Sequence, residues 1–167
     1  MSISSNRSRA LLFVLAGGLV AGTLDITYAC MYWGIKSDVQ PSRIFQSVAR
    51  GLLGPASFRG GVPTAALGLF LHYFIATSMS VVYYLVARRV KALHDHAITM
   101  GAAYGLVLYG VMTYVVVPLS RAGGGGGADK LWIGLSIVVH MFLIGVPIAL
   151  FTKFAVNNNP EQRVQEA

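Results

Sequence analysis

Between Leu11 and Trp33 the chain reads LLFVLAGGLVAGTLDITYACMYW, a run of neutral residues broken by one carboxylate, Asp25. Few structures suit such a run. About 20 residues of apolar α-helix cross a bilayer core. In lipid, only a helix or a closed barrel satisfies every backbone N–H and C=O internally. The run therefore predicts a spanning helix over about residues 10–33. Asp25 is its anomaly, because an ionisable group at membrane depth is costly and turns toward a bundle interior or a polar cavity.

The rest of the chain follows the same pattern. Only 11% of the 167 residues are charged and the mean hydropathy is +0.63, against roughly 25% charged in soluble domains. The net charge of +7 comes from Lys and Arg at the ends of apolar runs, where they anchor to headgroups. This argues for a lipid bilayer as partner and against nucleic acid. Cys30 is the single cysteine, so neither an internal disulfide nor a paired-thiol metal site is expected. Arg7 and Arg9 before an apolar stretch imitate a signal peptide, but the stretch is too long and lacks a small-residue cleavage site. An uncleaved helix is the expectation.

The expected fold is all-α: a polytopic four-helix membrane bundle with one amphipathic interfacial helix between the first and second spanning helices. A polar tail covers 1–9. The spanning helices cover about 10–33, 62–87, 97–117 and 131–155, and a polar tail covers 156–167. Over 41–53, Ile44, Phe45, Val48, Leu52 and Leu53 share one face, opposite Arg43, Gln46, Ser47 and Arg50. That pattern suits a helix in the interface, either capping the bundle mouth or lying on lipid. Tyr32 and Trp33 belong to an aromatic belt. His94, Asp95 and His96 read as a solvated turn with Asp95 capping the next helix. Pro118 ends the third spanning helix and Pro147 kinks the fourth. Five glycines, Gly123 to Gly127, make a flexible linker. Gly18 and Gly22, and Gly101 and Gly105, form two GxxxG pairs for close helix packing, within the chain or between copies. Packing within the chain is preferred, with the two pairs meeting each other.

Depth arithmetic adds a layer. At 1.5 Å per residue, Asp25, His72 and His140 lie about 12 Å, 15 Å and 14 Å from helix ends on one side of the membrane. Tyr109 falls at the matching level on the third spanning helix. Asp25 continues the Gly18–Gly22 stripe. His72 follows Ala65 and Gly68, and Tyr109 follows Ala102 and Gly105. Only Ser136 precedes His140 in this way. Thr23, Thr27, Thr77 and Ser78 are expected to bond their own helix backbone. No nucleophile–base pair stands out, so an enzyme is not indicated.

Several motifs carry a resemblance: AGTLD at 21–25, LGLFLHY at 67–73, PLSRAGGGGGA at 118–128 and a histidine in the fourth spanning helix. Over residues 10–150 the chain resembles small bacterial four-helix inner-membrane families of unknown function. The resemblance aligns Asp25, His72 and His140 with that group's membrane aspartate and two histidines, and implies an inner-membrane location but no activity.

Three functions suit the layer. The first is a structural or accessory membrane component, its helices locked in register by a hydrogen-bond network and associating with a second copy or another membrane protein. The second is proton or ion translocation through Asp25, His72 and His140, since histidine titrates near neutrality. The third is a haem or metal site with His72, His140 and Asp25 as candidate ligands. Paired-histidine repeats of multi-haem bundles are missing, and no cofactor is expected. The tightest basic clusters, Arg7/Arg9 and Arg88/Arg89/Lys91, put both termini in the cytoplasm.

Overall fold

The computed structural model describes residues 3–123 and 129–157. The expected linker residues 124–128 and tail residues 158–167 lie outside them. Among the described residues there is helix and no strand. Helix α1 runs Ile3–Ser37, α2 Pro41–Leu53 and α3 Gly61–Ala87. Helix α4 runs Ala97–Leu119 and α5 Lys130–Asn157. A 3₁₀ segment, Gly54–Arg59, links α2 to α3, and a single turn, Ala92–Asp95, precedes α4. Helices α1, α3, α4 and α5 are long and apolar enough to cross a membrane. The chain is thus a multi-pass helical membrane protein. The N-terminal stretch expected as a tail is helical from Ile3 onward; its residues continue the α1 ladder, where backbone bonds are already in place.

Helix α1 is the centre of the bundle, packed against both α3 and α5, while α4 packs mainly on α5. The dense core sits toward the end where α1 begins and α5 finishes. There Tyr83, Ala87, Ala97, Ile148 and Ala149 are buried together with Ala21, Leu108 and Ile144. Small side chains bring these backbones close, and Tyr83 fills the space between them, donating its hydroxyl to the Leu93 carbonyl at 2.8 Å. Tyr104 stacks near Tyr83, ring centroids 4.8 Å apart, and donates to the Met79 carbonyl at 2.9 Å. These tyrosines bridge α3 and α4.

The two GxxxG pairs serve different partners, contrary to the expectation that they meet. A methyl group on Gly18 would lie 2.6 Å from the Thr77 Cα, and one on Gly22 3.1 Å from the Ala76 Cβ. That pair seats α1 on α3. On α4, a methyl on Gly101 would lie 2.8 Å from the Gly145 carbonyl oxygen, and one on Gly105 would overlap the His140 carbonyl. That pair seats α4 on α5, where Gly145 supplies a third glycine. The pairs diverge because α1 and α4 lie on different sides of α5.

Both prolines sit just beyond a widened turn. The Val117 N–H reaches the Met112 carbonyl, and the Val146 N–H reaches the Met141 carbonyl, each five residues back. A proline has no N–H to give and its ring crowds the carbonyl four residues before it. The π-type turns over Met112–Val116 and His140–Gly145 accommodate this, and both helices continue past their proline. Pro118 therefore lies within α4, which ends one residue later at Leu119.

The turn before α4 also differs from expectation. His94 is buried, its Nδ1 3.3 Å from the Asp95 carboxylate, and the residue capping α4 is His96, with no side-chain bond. Asp95 faces its neighbouring imidazole and does not cap.

Candidate functional site

Away from the dense core the bundle is hollow. A cavity of about 400 Å³ lies among the spanning helices, with Val48 of α2 on its wall. Its polar lining comes from every spanning helix. Asp25 and Tyr28 project from α1, His72 from α3, Tyr109 and Thr113 from α4, and Ser136 and His140 from α5. Ala21, Ile75, Met79, Met112 and Ile144 make apolar walls. The four residues that depth arithmetic puts at one level thus line one cavity.

The four do not bond one another. His72 Nε2 lies 2.8 Å from the Gly22 carbonyl oxygen, and His140 Nδ1 lies 2.8 Å from the Ser136 carbonyl oxygen. A carbonyl only accepts, so both ring nitrogens donate. In the neutral imidazoles this leaves Nδ1 of His72 and Nε2 of His140 as acceptors. Tyr109 meets His140 edge to face, centroids 5.4 Å apart. The Asp25 carboxylate is half-buried. It has no hydrogen bond or ion pair among the described residues. Its surroundings hold aromatic and aliphatic walls, and among the described residues no Lys or Arg lines the cavity.

In its three-ligand form, with Asp25, His72 and His140 on one ion, the third of the sequence-derived functions needs the three side chains to converge. No group of three His, Cys, Asp or Glu side chains among the described residues is placed to hold a metal ion. His72 and His140 each give one ring N–H to backbone and keep the other nitrogen open to a ligand. The Thr23 hydroxyl donates to the Leu19 carbonyl at 2.8 Å and that of Ser78 to Phe74 at 2.7 Å. Hydroxyls held this way are not poised as nucleophiles.

The chain stands alone on comparison: no protein-family model, no curated protein and no solved structure matches it. The reading of the cavity therefore rests on its geometry.

Helix α2 adds Val48 to the cavity wall. A methyl group on Gly68 of α3 would overlap the Phe45 carbonyl, so α2 lies directly on α3. At its other end the Arg121 N–H donates to the Gly51 carbonyl at 2.9 Å, tying α2 to the end of α4. Gln46, expected on the polar outer face, is buried. Its amide donates to the Gly61 carbonyl at 3.0 Å and to the Thr64 hydroxyl at 3.3 Å. Leu52 and Leu53, at the far end of the apolar face, are exposed. Ile44 and Val48 of that face turn to the bundle together with Ala49 and Gln46, where α2 docks on Gly68 of α3.

Beside the cavity, Tyr28, Tyr32, Trp33 and Trp132 form an aromatic cluster. Tyr28 stacks on Trp132 at 5.2 Å, and Tyr32 and Trp33 approach the same indole at 4.9 and 5.3 Å. Above it, Lys36 pairs with Asp129, which also accepts from the Tyr32 hydroxyl. Asp129 caps α5 as well, accepting from the Leu131 N–H at 3.2 Å. This clamp between α1 and α5 was not evident in sequence, since Asp129 follows a glycine run and lies 93 positions from Lys36. An aspartate two residues before an apolar run was the available signal.

The clamp carries a pH prediction. The Lys36 ammonium first, and the Tyr32 hydroxyl second, hold the Asp129 carboxyl down at about 2. A carboxyl lowered by folding contributes stability that is present above its unfolded value near 3.9 and lost as pH falls through the folded value. The wild-type melting temperature should therefore fall between about pH 4 and pH 2. Asp129→Asn should flatten that part of the curve in a detergent-solubilised thermal melt. Equal slopes in the two proteins would mean the clamp does not hold α1 to α5.

Proposed function

We propose that this chain is an intramembrane binding protein, residing in a bacterial inner membrane with both termini cytoplasmic, whose central cavity holds a small ligand. One observation carries the reading: polar groups from all four spanning helices meet at a single cavity while Asp25 makes no hydrogen bond or ion pair among the described residues. Small-molecule sites are typically hollows of about 300–1,000 Å³, mostly apolar, with a few convergent polar groups. A structural layer spends its polar groups on bonds between helices, as His72 of α3 does on the Gly22 carbonyl of α1 and Tyr28 of α1 on the Ser136 hydroxyl of α5 at 3.5 Å. Asp25 takes part in no such bond among the described residues. An unpaired carboxylate costs stability, as functional groups commonly do. The basic clusters Arg7/Arg9 and Arg88/Arg89/Lys91 support the orientation.

Proton or ion translocation is the second reading. It is favoured by the carboxylate and two imidazole acceptors sharing one cavity, groups able to pass a proton.

Asp25→Asn separates the possibilities. For a binding cavity, the variant should melt at the wild-type temperature or higher, because it removes a charge without breaking a bond. A fall of several degrees would make the layer a structural lock and end the binding reading. In proteoliposomes with a pH-sensitive dye, proton flux above that of empty vesicles, abolished by Asp25→Asn, would select translocation.

A further inference from the structure

We infer that the cavity is selective for a lipophilic cation with N–H donors, a primary alkylammonium in the simplest case; this rests on the binding reading above. The inference comes from counting donors and acceptors. The N–H of His72 is committed to the Gly22 carbonyl and that of His140 to the Ser136 carbonyl. With those donors used, each neutral ring offers only a lone pair. Asp25 adds a carboxylate without a partner among the described residues. Three residues that line the cavity from three helices thus offer acceptors, one of them anionic. The hydroxyls of Tyr28, Tyr109, Thr113 and Ser136 on the same wall can give or take a hydrogen bond but carry no positive charge. Among the described residues no Lys or Arg lines the cavity to neutralise Asp25.

The ligand that answers this set carries positive charge and several N–H donors at one end. An ammonium group has three donors and no acceptor. The walls suit the rest of such a molecule. Ile75, Met79, Met112 and Ile144 take an alkyl chain, and the rings of Tyr28, Tyr109 and Trp132 are available to a cation. Cation–π attraction grows when the charge is desolvated, as it is here. An anion would meet the Asp25 carboxylate with no compensating cation. A neutral alcohol would supply one donor where the site asks for several.

Trp132 gives the readout, since it lines the cavity and is one of two tryptophans in the chain. Bromine quenches indole fluorescence, so 8-bromooctylamine and 8-bromooctanol report occupancy of the full-length protein in nanodiscs. Each midpoint is corrected for that probe's partition into empty nanodiscs. The amine should quench saturably with a midpoint about 10–100-fold lower than the alcohol, the range of a charge-assisted hydrogen bond. Asp25→Asn should erase that difference. Equal saturable midpoints in the wild-type protein would overturn the cation selectivity and leave the binding cavity standing. Quenching that never saturates for either probe would overturn the binding cavity itself. An amine preference that survives in Asp25→Asn would overturn the assignment to Asp25. The wild-type comparison decides the selectivity even where the variant does not fold.

Discussion

Gly105→Ala should lower the melting temperature by about 2–12 °C. The added methyl has nowhere to go, because it overlaps the His140 carbonyl and lies within 2.7 Å of the Met141 Cα. Both obstacles are backbone, so no rotamer change relieves them. Overpacking a tight contact costs about 1–3 kcal/mol, and more when backbone must move. For a chain of this size each kcal/mol shifts the midpoint by roughly 2–4 °C. The same substitution should disturb the cavity, since His140 is both the obstacle and a wall residue. Quenching of Trp132 by the brominated amine should weaken together with stability. Gly110→Ala, where a methyl meets nothing within 4 Å, is the matched control on the same helix and should be silent. A melting temperature unchanged in Gly105→Ala would mean that α4 and α5 do not approach through this glycine.

Gly68→Ala should have the second large effect, of a different kind. Its methyl would overlap the Phe45 carbonyl and sit 3.1 Å from the Ala49 amide nitrogen. Helix α2 does not cross the membrane, so it can leave its seat without unfolding the bundle. The Gln46 bonds to the start of α3 and the Arg121 bond at Gly51 keep its ends attached. The expected outcome is a small loss in melting temperature and a large gain in cavity access. A cysteine at Val48, introduced with Cys30→Ala, should react with a soluble maleimide about 5–150-fold faster when Gly68 is also replaced, matching about 1–3 kcal/mol of lost docking. Unchanged labelling would show that α2 does not shield this wall of the cavity.

How much of this was legible in sequence follows from what lipid enforces. The four spanning helices could be read directly, because bilayer thickness and backbone satisfaction leave apolar stretches one option. Asp25, His72, Tyr109 and His140 could be placed at one depth because helical rise is fixed. Their bonding could not be read this way. The Gly22 and Ser136 carbonyls carry no side-chain signal, and sequence gives depth but not azimuth. Azimuth also misled at Gln46, which the close seat of α2 on Gly68 buries although the hydrophobic pattern puts it on the polar face. His94 turned inward because Tyr83 and the end of α5 build a wall around a turn that looks solvated in isolation. Asp129 was hidden by distance along the chain, its partners lying on α1.

The widened turns before Pro118 and Pro147 set an angular phase as well as a route past a proline. A π-type turn is a helix holding one residue more than its ladder needs, and one residue corresponds to about 100° of rotation. In α5 the extra residue falls between His140, which lines the cavity, and Ile148 and Ala149, which belong to the dense core. In α4 it falls between Tyr109 and the end tied to α2. A regular α-helix in α5 could align its core face or its cavity face, but not both. The surplus residue is the offset that lets one helix serve two faces about a quarter-turn apart, and it makes the length of these segments as constraining as their composition.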